Sequence, residues 1–395
     1  MKNTPDLYDT LIQILGQHSC WLDKRHLQTL VWMLVGLIRS KNISLPEWVP
    51  FVDSRAQFAQ STVRRFSRWI NNKRIKTHEL YGPIIREALA EWAENTIYLA
   101  LDTSRLWDKF CHIRISVIYR GRAVPLIWKT VKHDSSTVAF EAYCDLLDKA
   151  AKLLPMRSTV VFLADRGFAD TKLMAYLSHT LHWHWRIRIK TSFYVHRRKR
   201  RRCKIGNIKL KRGQARFWHN VYITKKKFGV VHLALAKPHG TKETWLIVSD
   251  QPTDVSTFEE YGLRFDIEEN FLDDKSNGFQ LESSLFRSTD AISRLCLILA
   301  VATLFLVSQG TEVVQLDKRR WVDAHWFRGN SYLKIGWKWV LRALVKGYDL
   351  ITRLTLSPLP DPEPAMASKK QLQARKKPFF SVQLDVYTPF EPNLA

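Results

Sequence analysis

The stretch "TIYLALDTS" (96–104) governs how the rest of the chain is read. It is a mostly apolar run that ends in Asp102, which predicts a largely buried strand carrying a carboxylate at its end. A second stretch, "STVVFLADRGF" (158–168), repeats the pattern and ends at Asp165, after which Gly167 lets the chain turn sharply. Between them, "HIRISVIY" and "AVPLIWKTV" flank the turn "RGR" and read as a hairpin, and "STVAFEAYCDLLDKAAKLL" reads as an amphipathic helix. "TKLMAYLSH" is a short helix. "HWHWRIRIK" (182–190) alternates strictly, with Trp183, Trp185, Ile187 and Ile189 on one face and His182, His184, Arg186, Arg188 and Lys190 on the other.

Working outward, 395 residues suffice for two or three domains with a sizeable core. A hydrophobic content of 46% with 15 Trp and 20 Phe excludes a disordered chain. Lys and Arg number 62 against 37 acids, a formal charge of +25, which calls for a polyanionic partner, nucleic acid before an anionic membrane. The longest apolar run, "LCLILAVATLFLV" (295–307), is too short to span a bilayer and reads as a core helix. The N-terminus lacks the pattern of a signal peptide. Five scattered cysteines without a CxxC argue against a disulfide framework or zinc ribbon and fit a reducing cytoplasm.

Residues 1–95 read as a helical domain. Within it "STVRRFSRWINNKRIK" places Arg64, Arg65 and Arg68 around Phe66, Trp69 and Ile70, the make-up of a DNA-reading helix or of a solvated face; the net charge favours the former. Residues 96–290 form an α/β unit with a β-rich insertion at about 191–250, opened by the run "HRRKRRRCK". A backbone clamp is the simplest use of Arg197 to Arg202 in a DNA-handling chain. A helical C-terminal region follows at 291–356, including the Trp-rich basic stretch 329–347, and "SPLPDPEP" then "KKQLQARKK" mark 357–395 as a mobile tail.

Three antiparallel strands, a helix, a strand, a helix, a strand and a late helix is the order of the RNase H-like fold. In it Asp102 and Asp165 stand side by side at the ends of neighbouring strands, where α/β sites form. The late helix lies in "YGLRFDIEENFLDDK" (261–275). At about 100° per residue, Tyr261, Arg264, Glu268 and Lys275 fall within an arc of roughly 60°, beside an apolar stripe of Leu263, Ile267 and Phe271. Alone, such a row is a salt-bridged solvent face. With Glu268 brought to Asp102 and Asp165, three carboxylates meet, and such a group is stable mainly around a hard cation, Mg²⁺ or Mn²⁺. Two such ions about 4 Å apart can activate a water or 3′-hydroxyl toward a phosphodiester. Arg264 and Lys275 would hold phosphates on either side, and Tyr261 would touch the DNA backbone.

The signature Tyr-x2-Arg-x3-Glu-x6-Lys, with "LALDTS" and "LADRGFAD", resembles that of the family-four insertion-sequence transposases of the DDE superfamily. The resemblance covers about 95–350. It implies a catalytic, metal-holding triad of Asp102, Asp165 and Glu268, two Mg²⁺ or Mn²⁺ ions, cleavage at the element's ends, joining of 3′-ends to target double-stranded DNA, and a homodimer. Members of the family form a hairpin at the transposon end. A Trp in a strand of their insertion stabilises a flipped base, and Trp245 of "TWLIVSD" stands at the matching place, where a core tryptophan is an equal reading. Arg188 and Lys190 are further phosphate contacts. Asp108, Asp170, Glu269, Asp273 and Asp274 read as solvated or supporting residues. Two alternatives stay open: a transposase-derived protein that only binds DNA, and a metal-dependent nuclease of the same fold. The expected setting is a prokaryotic cytoplasm.

Overall fold

The computed structural model describes residues 4–18, 20–21, 23–197, 201–239, 243–365 and 379–389. The chain opens with helices α1 (Thr4–Gly16), α2 (Lys24–Ser40), α3 (Leu45–Trp48), α4 (Ala59–Asn71) and α5 (Thr77–Ala88). Then come β1 (Thr96–Leu106), β2 (Phe110–Tyr119), β3 (Arg122–Lys132), α6 (Cys144–Ala151), β4 (Thr159–Ala164), α7 (Thr171–His179) and β5 (His184–Arg188). The β-rich stretch supplies β6 (Tyr194–His196), β7 (Cys203–Lys204), β8 (Gln214–Ile223), β9 (Phe228–Lys237) and β10 (Trp245–Ser249). Helices α8 (Ser256–Gly262), α9 (Phe265–Leu272), α10 (Thr289–Gln315) and α11 (Tyr332–Lys346) follow, and β11 (Ser381–Val386) ends the described elements.

The strands make one mixed sheet in the order β3-β2-β1-β4-β5-β10-β9-β8-β6-β7, with β11 beside β8. β1, β4 and β5 run parallel; β2 and β3 form the antiparallel hairpin expected from "RGR". The β-rich stretch does not fold apart: β10 pairs antiparallel with β5 and carries the same sheet onward. Strand alternation divides β1 between two cores. Ile97, Leu99 and Leu101 join the large core with α10, whereas Ala100 joins a smaller one under Ile267 and Phe271 of α9. Asp102, two residues beyond Ala100, therefore lies on the α9 face.

The 13-residue apolar run is the middle of a longer helix. α10 has 27 residues, long and apolar enough to cross a bilayer, but 94% of its most apolar window is buried within the protein itself. It lies against β3, α11 and the N-terminal helices. Arg294 on α10 donates to the carbonyls of Ile70 and Ile75, which ties the end of α4 to this core. Gly310 and Gly336 let α10 and α11 touch backbone to backbone, since a Cβ at either would run into the carbonyl of Tyr332 or Leu306. The expectation of a mobile tail from Ser357 meets two findings. Asp361 and Glu363 form ion pairs with Arg328 and Arg319, and Ser381–Val386 adds a parallel strand to β8. The composition hid both, because one depends on distant arginines and the other on an available sheet edge.

Candidate active site

Asp102 and Asp165 lie side by side on adjacent parallel strands: Asp165 directly follows β4 as expected, but β1 does not end at Asp102 and runs on to Leu106, because β2 continues to pair with it. Leu101 pairs with Ala164 in register, so the carboxylates follow side by side. Asp165 accepts a hydrogen bond from the Gly167 N–H at 2.7 Å in the turn that leaves β4, and Asp102 from the Thr103 N–H at 2.7 Å within β1 itself. Glu268 reaches the same place from α9 through an intermediary. The Arg264 guanidinium ion-pairs with Asp102 at 3.3 Å and with Glu268 one helical turn on. Burial pushes the Asp102 carboxyl up to about 6; Arg264 and the Thr103 N–H pull it down, while the charges of Asp165 and Glu268 add to the rise.

The four-residue row is not straight. The helix breaks between α8 and α9, and after α9 it widens into a π-helical turn, Asp273–Asn277. Tyr261 is buried in an aromatic cluster with Trp245, Phe258 and Phe265, so it does not face solvent as a backbone contact would. Arg264 is 5% exposed, turned toward the carboxylates and not outward to phosphates. Glu268 is exposed. Lys275, displaced by the wider turn, donates to the Arg105 carbonyl at 2.7 Å and pairs with Glu282 at 3.1 Å. The cause lies beneath the helix, where Asp273 and Asp274, expected to be solvated or supporting, are buried and supporting. Arg114 on β2, paired in register with Asp102, bonds Asp274 at 2.6 Å and Asn270 at 2.7 Å. Arg122 on β3 holds Asp273 at 3.1 Å. Sequence spacing gave no sign of these pairs, because each joins residues about 150 positions apart.

Arg188 and Lys190 line a cleft of about 370 Å³ with Arg166, the neighbour of Asp165. Arg188 pairs with Glu243 at 3.0 Å, whereas the Lys190 side chain is exposed. Arg186, expected on the same polar face, is buried between Glu260, Ser249 and Gln251. His184 is held by Asp250 at 2.7 Å. Trp245 is half-buried at the rim of the aromatic cluster. On α4, Arg64 and Arg68 are exposed, but Arg65 lies half-buried over Phe66 at 5.2 Å, away from any partner in solution. Of the basic run, Arg198, Lys199 and Arg200 lie outside the described residues; Arg197 stacks on Trp218 at 4.4 Å and Arg202 on Tyr194 at 5.4 Å.

The donor set suits a hard divalent cation: three carboxylates, one of them largely buried and held above its ordinary titration range chiefly by that burial. Their present spacing does not yet form a ligand cluster, for among the described residues no three His, Cys, Asp or Glu groups stand close enough to hold a metal. Arg264 occupies the neutralising position between Asp102 and Glu268.

Residues 104–305 match the family described as the transposase DDE domain, just over half of the chain. The chain belongs to that family. The match contains Asp165 and Glu268 and begins two residues after Asp102. No curated protein matches. Among solved structures, a piggyBac transposase synaptic complex with hairpin DNA aligns over 94% of this chain and 86% of its own, at 10% identity and a TM-score of 0.41. An Argonaute from Marinitoga piezophila, in complex with guide RNA and target DNA, aligns over 58% of this chain and 34% of its own, at 13% identity and a TM-score of 0.22.

Proposed function

We propose that the chain is an insertion-sequence transposase of the family-four group, with an RNase H-like core that cuts DNA at the element's ends and joins the 3′-ends to target DNA. The observation that carries this reading is the placement of Asp102 and Asp165 side by side on adjacent parallel strands, with Glu268 linked to Asp102 through Arg264. Asp102, Asp165 and Glu268 would hold Mg²⁺ or Mn²⁺, two ions per site, which activate the attacking water or 3′-hydroxyl and stabilise the leaving oxygen. Arg264 neutralises Asp102 and Glu268 while no cation is bound, and on release its fork suits a DNA phosphate. Arg166, Arg188 and Lys190 flank the carboxylates on one side and Lys275 and Arg105 on the other, so a strand laid between them meets cations at both ends. The exposed Arg64 and Arg68 of the 1–95 domain contact duplex away from the cut. Two DNA ends require two sites, hence a homodimer on DNA, in a prokaryotic cytoplasm. Trp245, at the open rim of its cluster, is the residue to stack a flipped base in a hairpin route.

A supercoiled plasmid carrying the DNA that flanks this reading frame tests the proposal, incubated with Mg²⁺ or Mn²⁺. Discrete excision or joining products are expected. Glu268→Gln lowers their rate by about a thousandfold, the several kcal/mol a bound cation supplies, and leaves end binding intact. Full cleavage by that variant overturns the triad. Nicking at random positions favours a nuclease. The Arg264 bridge favours a second reading, a descendant that only binds DNA, and end-specific retention without any strand breakage would establish it.

A further inference from the structure

At the other end of the sheet from Asp102, the connection between α10 and α11 displays aromatic side chains to solvent. Trp326 is 80% exposed and Phe327 62%. Exposed aromatics usually mark a loose loop or an interaction site. This loop is not loose, because three buried charged residues hold its backbone. Arg319 donates to the carbonyls of His325 at 2.9 Å and Trp326 at 3.1 Å. Asp323 accepts from the Gly329 N–H at 3.2 Å and from Asn330 Nδ2 at 2.8 Å. Arg328 donates to the Asn330 carbonyl and pairs with Asp361 at 2.9 Å. The core does not need Trp326 where it is, yet the fold fixes it there.

The surroundings select a partner. The exposed Arg320 guanidinium lies over the Trp326 ring at 4.7 Å, and Lys318 lies near Trp321. Neither has a carboxylate within 4.0 Å among the described residues, because the nearby acids Asp323, Asp361 and Glu363 are engaged inward by Arg319 and Arg328. A second copy of a chain with charge +25 meets this cationic face with repulsion, whereas DNA meets it with attraction. Aromatic rings beside unpaired cations are the elements that grip nucleic acid where bases are unstacked.

We propose that 324–327 is a second DNA contact of this chain, with Trp326 and Phe327 stacking on bases exposed at a kink or gap and Arg320 and Lys318 holding the phosphates. Tyr119, which bonds Thr311 of α10, lies at the end of β2 away from Asp102, so the loop grips DNA remote from the cut. Six residues of β1 separate the two ends, about 20 Å, or about six base pairs along a duplex. The inference rests on the reading that DNA is the substrate.

Fluorescence anisotropy of the full chain tests it, with a labelled 40-base-pair duplex and the same duplex bearing a two-nucleotide gap. Trp326→Ala with Phe327→Ala is expected to weaken binding to the gapped duplex about tenfold and to the intact duplex far less, a stack of one base being worth about that much. Trp326→Tyr retains binding. Arg320→Ala lowers the slope of log affinity against log salt by about 1. Equal affinity for wild type and the double variant overturns the loop contact and leaves the proposed function standing. A wild-type dimer in solution that the double variant converts to monomer also overturns it, in favour of a copy interface. Wild type that retains neither DNA overturns both readings.

Discussion

The two ends of the sheet both bury arginines against carboxylates, and the two sets have different tasks. At the far end, Arg319 and Arg328 are spent within the loop they hold: their acids bond backbone N–H groups, and their own donors reach carbonyls of the same segment. At the carboxylate end, Arg264 meets Asp102 and Glu268 directly, one side chain 17% exposed and the other 48%. The first arrangement is closed on itself. The second opens to solvent and is built around a cation that another cation could replace. A buried ion pair that fixes a loop and one that reserves a place are alike in composition and differ in what lies beside them.

Removing Arg264 gives the largest expected effect. Arg264→Ala leaves the largely buried Asp102 without its counter-charge, and breaking such a pair costs about 3 kcal/mol. Thermal denaturation in chelator is expected to show that loss. Adding Mg²⁺ or Mn²⁺ is expected to restore most of it, and to raise the melting temperature of the variant more than that of wild type. If Arg264 were only structural, metal would rescue neither protein, and a rise equal in both would remove Arg264 from competition with the ion. The matching change at the far end, Asp323→Asn, is expected to cost about 2 kcal/mol with no rescue by metal, the difference between its bonded carboxylate and an ordinary one. Metal-dependent recovery in Asp323→Asn would erase the distinction between the two ends.

The sequence showed the frame of the site and not its tension. Asp102 and Asp165 could be placed because an apolar run that meets an aspartate is a local pattern; both runs are strands, though only β4 ends at its aspartate and β1 runs on to Leu106. The "RGR" hairpin was legible because turn chemistry is local. Tyr261, Arg264, Glu268 and Lys275 were legible as a set and not as a row. Their angles depend on Arg114 with Asp274 and Arg122 with Asp273, long-range pairs that no helical wheel contains. Arg186 misled for a related reason: alternation placed it on the polar face of β5 correctly, but α8 supplies Glu260 to cover that face. The stretch 319–330 fell without comment inside the helical region expected at 291–356, since the fixity of its loop comes from Asp361 and Glu363 in what composition marks as a tail.

Acid separates the two ends most finely. Burial pushes the Asp273 carboxyl up to about 6, against the pull of Arg122 and with a push from Asp274; Lys334 and Glu269 also face it. Its folded value lies above its ordinary one of 3.8, so the proton stabilises the fold. That contribution is full below about pH 4 and is lost as the pH rises through 6. Burial also pushes Asp323 up, but hydrogen bonds from His325, Gly329 and Asn330 outweigh it and hold the carboxyl down at about 2. Its contribution is full above 3.8 and is lost as the pH falls toward 2. Hydrogen exchange followed by peptide is therefore expected to show 265–277 becoming better protected from pH 7 to pH 5 while 319–330 stays unchanged. Below about pH 4 the far loop is expected to open first. Because one carboxylate gains from a proton and the other loses by it, the two segments cannot share one titration. If they opened together at a single pH, the far loop would be part of the same cooperative unit as the π-helical turn, and its rigidity would no longer be evidence of a contact of its own.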